Sequence, residues 1–311
     1  MQHYKFAVLL IGLLSTLKAI TMEKFTGIYA ATLTPLHADL TCDYDAHASH
    51  CKDLLEQGCK GVVLYGTTGE GSSFSIAEKQ AGIGALIDRG VDPKTIIVSV
   101  GSPSIEDTVH LTQTALSYKC AAVLMMPPYF FKNVSDAGVI AFYREVIQKV
   151  NDPNLKIFLY HIPQFSGVPI SIEVIRALRE EFPTTVIGMK ESEGNFELIQ
   201  AILKQFPDFQ LLVGSEKLIA SAVSLGANGG ISGIASFCPK LICSLYQGNE
   251  RQSEIEALSA ILKNYPFVAA CKSILEQKKG SAWRALRPPL VPLTSEESLS
   301  LSQQLQNLGS D

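Results

Sequence analysis

The sequence predicts an α/β protein, a closed (β/α)8 TIM barrel with a C-terminal helical extension, and three observations carry that reading. Eight short apolar runs rich in β-branched residues recur between residues 27 and 236 at intervals suited to strand, helix and return. The runs are continuously apolar rather than alternating, which marks strands buried on both faces and hence parallel pairing through crossover helices. After the first run, "ATLTPLHADL" contains no glycine-rich dinucleotide turn, so an open doubly wound sheet is the weaker alternative.

In chain order the runs begin "GIYAATLTP" at residue 27, "GVVLYGTTGE" at 61, "TIIVSVGS" at 95 and "AAVLMMPP" at 121. They continue with "KIFLYHIP" at 156, "VIGMKES" at 186, "FQLLVGSE" at 209 and "GGISGIAS" at 229. Helical patterns lie between them: Val139, Ile140, Tyr143, Val146, Ile147 and Val150 share one face at spacings of three and four. Ser75 with Glu78 makes a capping box, and Asn195 is the expected N-cap of "FELIQAILKQF". Beyond residue 240, "SEIEALSAILKNY" and "SEESLSLSQQLQNL" are amphipathic and too extensive to be only the last barrel helix. The expected organisation is an upstream segment over 1–21, a catalytic barrel over 22–240 and a helical extension over 241–311.

With 311 residues, 47% hydrophobic and 18% charged, the chain suits one large core. A formal charge of -4 without runs of Lys or Arg leaves no electrostatic footprint for nucleic acid. The seven cysteines include no C-x-x-C pair and lie in apolar or helical stretches, so they read as reduced packing thiols of a cytoplasmic protein. Lys5 followed by "FAVLLIGLL" resembles a secretory signal, but it is too short to span a membrane, and Leu17 before Ala19 makes a poor cleavage site. A start at Met22, with an upstream extension before it, accounts for the same residues. Neither account makes the membrane a partner.

In a parallel barrel the active site lies at the C-terminal ends of the strands. Those ends are polar here: "GTTGEGSS" after the second run, Tyr160 and His161 at the fifth, Lys190 and Glu191 at the sixth, and Gly214, Ser215 and Glu216 at the seventh. Alternation places Val186, Gly188 and Lys190 on one face, aiming the amine into the barrel mouth. Burial without a counter-ion favours the free amine, which attacks a carbonyl to form a Schiff base. The competing reading is a lysine that snorkels to solvent or pairs with Glu191. Tyr160 ends the neighbouring strand, and a phenol beside an imine relays protons as the carbinolamine forms and collapses. Taken singly, it reads equally well as a core-edge tyrosine.

Gly66, Thr67, Thr68 and Gly69 form a turn before a helix, with N–H groups and hydroxyls suited to a small anion. No G-K-[ST] follows, so this is not a nucleotide-phosphate loop. Because the second and sixth strands lie opposite one another, a short 2-oxo acid bridges them, carbonyl to Lys190 and carboxylate to Thr67 and Thr68. Ile231 in the eighth run is a further candidate contact. Metal-dependent chemistry fits less well, since His37, His47, His50 and His110 fall in loops or helices and only His161 ends a strand. No intact G-x-S-x-G nucleophile elbow is present.

These residues resemble the dihydrodipicolinate synthase and N-acetylneuraminate lyase superfamily of pyruvate-dependent class I aldolases. The likeness runs from about Phe25 to Ala235 and rests on "GTTGE" (66–70), "LYHIPQFSG" (159–167), "GMKESEGN" (188–195) and "GANGGISG" (226–233). It implies a homotetramer of barrels with C-terminal helices. It also implies Lys190 as the Schiff-base residue for pyruvate, Tyr160 as proton relay, and Thr67 and Thr68 at the carboxylate end. The covalent imine would replace any cofactor, and an aldehyde would be the second partner.

Three departures bear on the substrate. Where the synthase places an arginine to hold its aldehyde's carboxylate, this chain has Phe165. Where the synthase lends a second tyrosine across a subunit interface, "PPYFFKNVS" aligns Phe130, with Tyr129 beside it. Where the neuraminate lyase presents two acids after strand seven, this chain has Glu216 and Lys217. The expected function is a class I aldolase or lyase that condenses or releases pyruvate, acting on a 2-keto-3-deoxy sugar acid or an N-acetylneuraminate-like substrate. The alternative within the class is 4-hydroxy-tetrahydrodipicolinate synthase, and the alternative outside it is a non-catalytic binding barrel.

Overall fold

A computed structural model describes residues 23–248 and 251–309, so the expected segment 1–21 lies outside the described residues. The eight apolar runs form eight strands: β1 (Gly27–Ala31), β2 (Gly61–Leu64), β3 (Ile96–Ser99), β4 (Ala122–Met125), β5 (Ile157–His161), β6 (Val186–Glu191), β7 (Gln210–Val213) and β8 (Gly229–Ser232). They pair in parallel in chain order, and β8 closes against β1, which makes the expected TIM barrel. The helices over the barrel are α1 (Tyr44–Glu56), α2 (Ile76–Asp88), α3 (Ile105–Ser117), α4 (Asp136–Val150), α5 (Pro163–Ser166), α6 (Ile172–Glu181), α7 (Phe196–Gln205), α8 (Glu216–Ser224) and α9 (Pro239–Tyr246). The extension adds α10 (Gln252–Leu262), α11 (Phe267–Lys279) and α12 (Ser295–Leu308).

Both expected caps form: Ser75 and Glu78 make the capping box of α2, and the Asn195 side chain accepts from the Leu198 N–H at the start of α7. The expected boundary at residue 240 falls inside α9, which packs on α8, β1 and β8 and so serves as the eighth barrel helix. In helix α11 Ala269 through Leu275 are buried in an unbroken row that includes the polar Lys272 and Ser273, so burial there does not follow the helical period.

Two apolar layers build the core. One fills the space between strands and helices, and the other fills the barrel with Tyr29, Val63, Ile97, Leu124, Phe158, Ile187, Leu212 and Ile231. Phe25 closes the floor, its ring edge-on to Phe158 at 5.1 Å and its N–H donating to Gln210 Oε1 at 2.6 Å. Strand β6 corrects one expectation. Ile157 pairs with Val186 but Phe158 pairs with Gly188, so Ile187 is an extra residue, a β-bulge. Val186 therefore joins the outer layer rather than the face of Gly188 and Lys190, while Ile187 turns into the barrel. Gly188 is required there, since a Cβ would meet the Phe158 ring at 2.5 Å and the Gln210 carbonyl at 2.3 Å.

Candidate active site

Lys190 and Tyr160 are register partners on β6 and β5, side by side at the ends of their strands. The lysine is only 7% exposed, and its Nζ lies 3.4 Å from the Tyr160 hydroxyl and 4.6 Å from the centre of that ring. Among the described residues no carboxylate pairs with it. Glu191, one proposed partner, points to the opposite face of β6 as strand alternation requires. It is fully buried, and its Oε1 accepts the N–H groups of Gly194 at 2.9 Å and Asn195 at 3.3 Å. Its Oε2 has no partner, and burial raises its pKa. Glu191 thus folds the loop after β6; it neutralises neither Lys190 nor a surface cation.

Thr67 reaches the same point from β2, with Oγ1 3.3 Å from the Tyr160 hydroxyl. Thr67, Tyr160 and Lys190 form a continuous chain of exchangeable protons. The turn that carries Thr67 is strained at both ends, since Tyr65 and Glu70, neither a glycine, hold φ at 58° and 56°. Gly66 and Gly69 shape it from within: the Gly66 carbonyl accepts the Gly71 N–H at 3.0 Å, and the Gly69 carbonyl accepts the Thr34 hydroxyl at 2.9 Å. The backbone N–H groups of Thr67 and Thr68 donate to no acceptor among the described residues. Glu70 anchors the far end. Its carboxylate meets Lys272 of α11 at 2.5 Å and accepts the Arg287 N–H at 2.9 Å, so the extension holds the turn in place.

A cavity of about 560 Å³ opens above these groups. Of the expected site residues, Lys190, Tyr160, Thr67, Thr68, Gly214, Glu216 and Ile231 line it. Gly66, Gly69, Ser215 and Tyr129 do not. Ser215 stands one position behind, at the start of α8, and Tyr129 is half-buried on the loop after β4, where its carbonyl accepts from Lys132. Glu216 is engaged inward: its Oε1 accepts the Ser232 hydroxyl at 2.6 Å and the Ile234 N–H at 3.4 Å.

A family model described as the dihydrodipicolinate synthetase family matches residues 24–308. The chain is 32% identical over 289 residues to an uncharacterized DapA-like lyase of Chloroflexus aurantiacus, covering 90% of this chain and 96% of that protein. The chain belongs to the dihydrodipicolinate synthetase family. It is also 26% identical to a 4-hydroxy-tetrahydrodipicolinate synthase of Endomicrobium trichonymphae, over 92% of this chain and 99% of that protein. The crystal structure of dihydrodipicolinate synthase from Agrobacterium tumefaciens superimposes with a TM-score of 0.88 at 34% identity, over 91% of this chain and 99% of that one. As a member of this family the protein is a lyase, on the same barrel with C-terminal helices.

Part of the family barrel's mouth was not legible from strand ends. Residues 266–269 and 289–291 of the extension line the cavity, as do Ile162, Gln164, Phe165, Ser192 and Gly233. The signal for the extension lay in "YPFVAA" and "RPPLVP", where prolines adjoin short apolar runs far from any strand. Close packing at Gly233 joins the two parts, because a Cβ there would meet the Phe267 ring at 2.9 Å and Thr68 Oγ1 at 3.0 Å.

One cluster has metal-ligand composition: donor atoms of His161, Glu191 and Glu193 lie within 4.8 Å of one another. Hydrogen bonding argues against a cation there. His161 Nδ1 accepts the Ile170 N–H at 3.0 Å, which places the ring proton on Nε2, where it donates to Glu193 at 3.2 Å. That tautomer offers a metal no lone pair on Nε2.

Proposed function

We propose that the protein is a class I aldolase that joins Lys190 to pyruvate as a Schiff base and then makes or breaks a carbon–carbon bond to an aldehyde. One observation carries this reading: a buried lysine without a carboxylate partner among the described residues, 3.4 Å from a tyrosine hydroxyl that itself lies 3.3 Å from Thr67. Tyr160 accepts and returns protons as the carbinolamine forms and loses water, with Thr67 orienting the phenol. The unengaged N–H groups of Thr67 and Thr68 suit the pyruvate carboxylate. No cofactor is required, since the imine itself withdraws electrons from the substrate.

The relatives' names favour 4-hydroxy-tetrahydrodipicolinate synthase as a second reading, against which stands the apolar Phe165 on the cavity wall. Sugar-acid cleavage is a third member of the same chemistry. We place the protein in the cytoplasm because all seven cysteines are free thiols; no helix among the described residues is long and apolar enough to cross a membrane. We propose a homotetramer, in which the exposed pair Phe130 and Phe131 on the loop after β4 is covered by another copy and Tyr129 approaches that copy's site. Native mass measurement tests the assembly.

Treatment with pyruvate and borohydride, followed by intact-mass measurement, tests the chemistry. One reduced pyruvate per chain is expected. Absence of any adduct would leave the non-catalytic barrel standing.

A further inference from the structure

The cavity above Lys190 has two unlike ends. Lys190, Tyr160, Thr67 and Thr68 make the inner end polar, whereas Ile162, Phe165, Phe267, Leu290 and Val291 make the outer wall apolar. Phe165 is 66% exposed and Val291 67%, so the rim offers apolar surface that nothing among the described residues covers. Two polar groups near that wall are already engaged: Gln164 Nε2 donates to the Ser192 carbonyl at 2.7 Å, and Glu216 Oε1 is held by Ser232 and Ile234. Lys190 is the only cationic side chain among the lining residues.

We propose that the aldehyde partner carries an aromatic or branched apolar substituent, seated against Phe165, Phe267 and Val291. This inference rests on the Lys190 imine reading and deepens it. A carboxylate on the aldehyde would lose water at this wall, find no cation and face Glu216; a polyol would lose water against the same apolar side chains. An apolar group loses nothing by leaving water and covers the exposed rim. In the reaction the pyruvate imine gives up a methyl proton to become the enamine, and that carbon bonds to the aldehyde carbon. The aldehyde oxygen takes up a proton, and water then cleaves the C=N bond. The Lys190 amine is restored and a 4-hydroxy-2-oxo acid with an apolar tail departs.

The test supplies pyruvate with benzaldehyde, 2-methylpropanal, aspartate semialdehyde or glyceraldehyde, and traps pyruvate alone with borohydride in parallel. The expected result is an adduct with pyruvate and a kcat/KM at least about tenfold higher for the two apolar aldehydes. An adduct with preference for the charged or hydroxylated aldehyde overturns this inference and leaves the imine reading in place. Failure of the adduct itself overturns both. Val291→Asp should lower kcat/KM for benzaldehyde by about tenfold, with Val291→Leu restoring most of the loss. An equal fall for all four aldehydes in Val291→Asp would show that the wall acts on the fold and not on the aldehyde.

Discussion

Two lysines are buried beneath the same barrel mouth, and they are buried differently. Lys272, 1% exposed, meets Glu70 at 2.5 Å and donates to the Ala285 carbonyl at 2.6 Å; Lys190, 7% exposed, faces the hydroxyl and ring of Tyr160 and meets no carboxylate among the described residues. Burial lowers the pKa of Lys272 while Glu70 opposes the shift, so its charge is held by a partner. Burial alone therefore does not make a lysine reactive. The difference is the partner: one amine clamps the turn to the extension, and the other meets only a phenol among the described residues, as the proposed imine chemistry requires.

The largest expected effect separates the two directly. Lys190→Ala should abolish pyruvate trapping while the far-ultraviolet spectrum and cooperative melting persist, because no ion pair is broken. Lys272→Met should instead destabilise the fold by about 3–5 kcal/mol in urea titration, since Glu70 is then buried without its cation. Adding Glu70→Gln should recover much of that loss; a double variant as unstable as the single one would mean that the pair is not the source.

A smaller effect follows from three buried histidines, one of them within reach of the same clamp. Burial holds His47, His50 and His161 below the ordinary histidine value, and Lys272 contributes at His47, whose pKa falls to about 4. The unfolded chain takes up protons first, so stability is full above about 6.5 and declines as the pH falls toward 4. For His47 the loss is about 3 kcal/mol. Urea midpoints measured from pH 7 to 4 check this, and a flat profile would contradict it. Smallest in free energy, Tyr160→Phe should slow imine formation about 100-fold in single-turnover kinetics, with packing retained. Near-normal rates would show that water or another hydroxyl moves the protons.

Most of the barrel was readable because parallel strands buried on both faces leave continuous apolar runs, and their polar ends mark one rim. Lys190, Tyr160 and Thr67 were readable for that reason. Glu191 was not: a carboxylate next to Lys190 looks like its counter-ion until alternation sends it to the other face and its Oε1 to Gly194 and Asn195. The bulge at Ile187 was also hidden, as both Val186 and Ile187 are apolar and only the pairing with Phe158 exposes the slip. Phe267 and Val291 escaped because they come from a segment far from the strands in sequence, brought over the mouth by the Lys272–Glu70 clamp and the close approach at Gly233.

Mapping the borohydride-trapped pyruvate by peptide mass spectrometry tests the central claim most directly. The account predicts one modified lysine, Lys190, with Lys272 unlabelled in the folded protein. Label on Lys272, or spread over surface lysines at the level seen in Lys190→Ala, would contradict it.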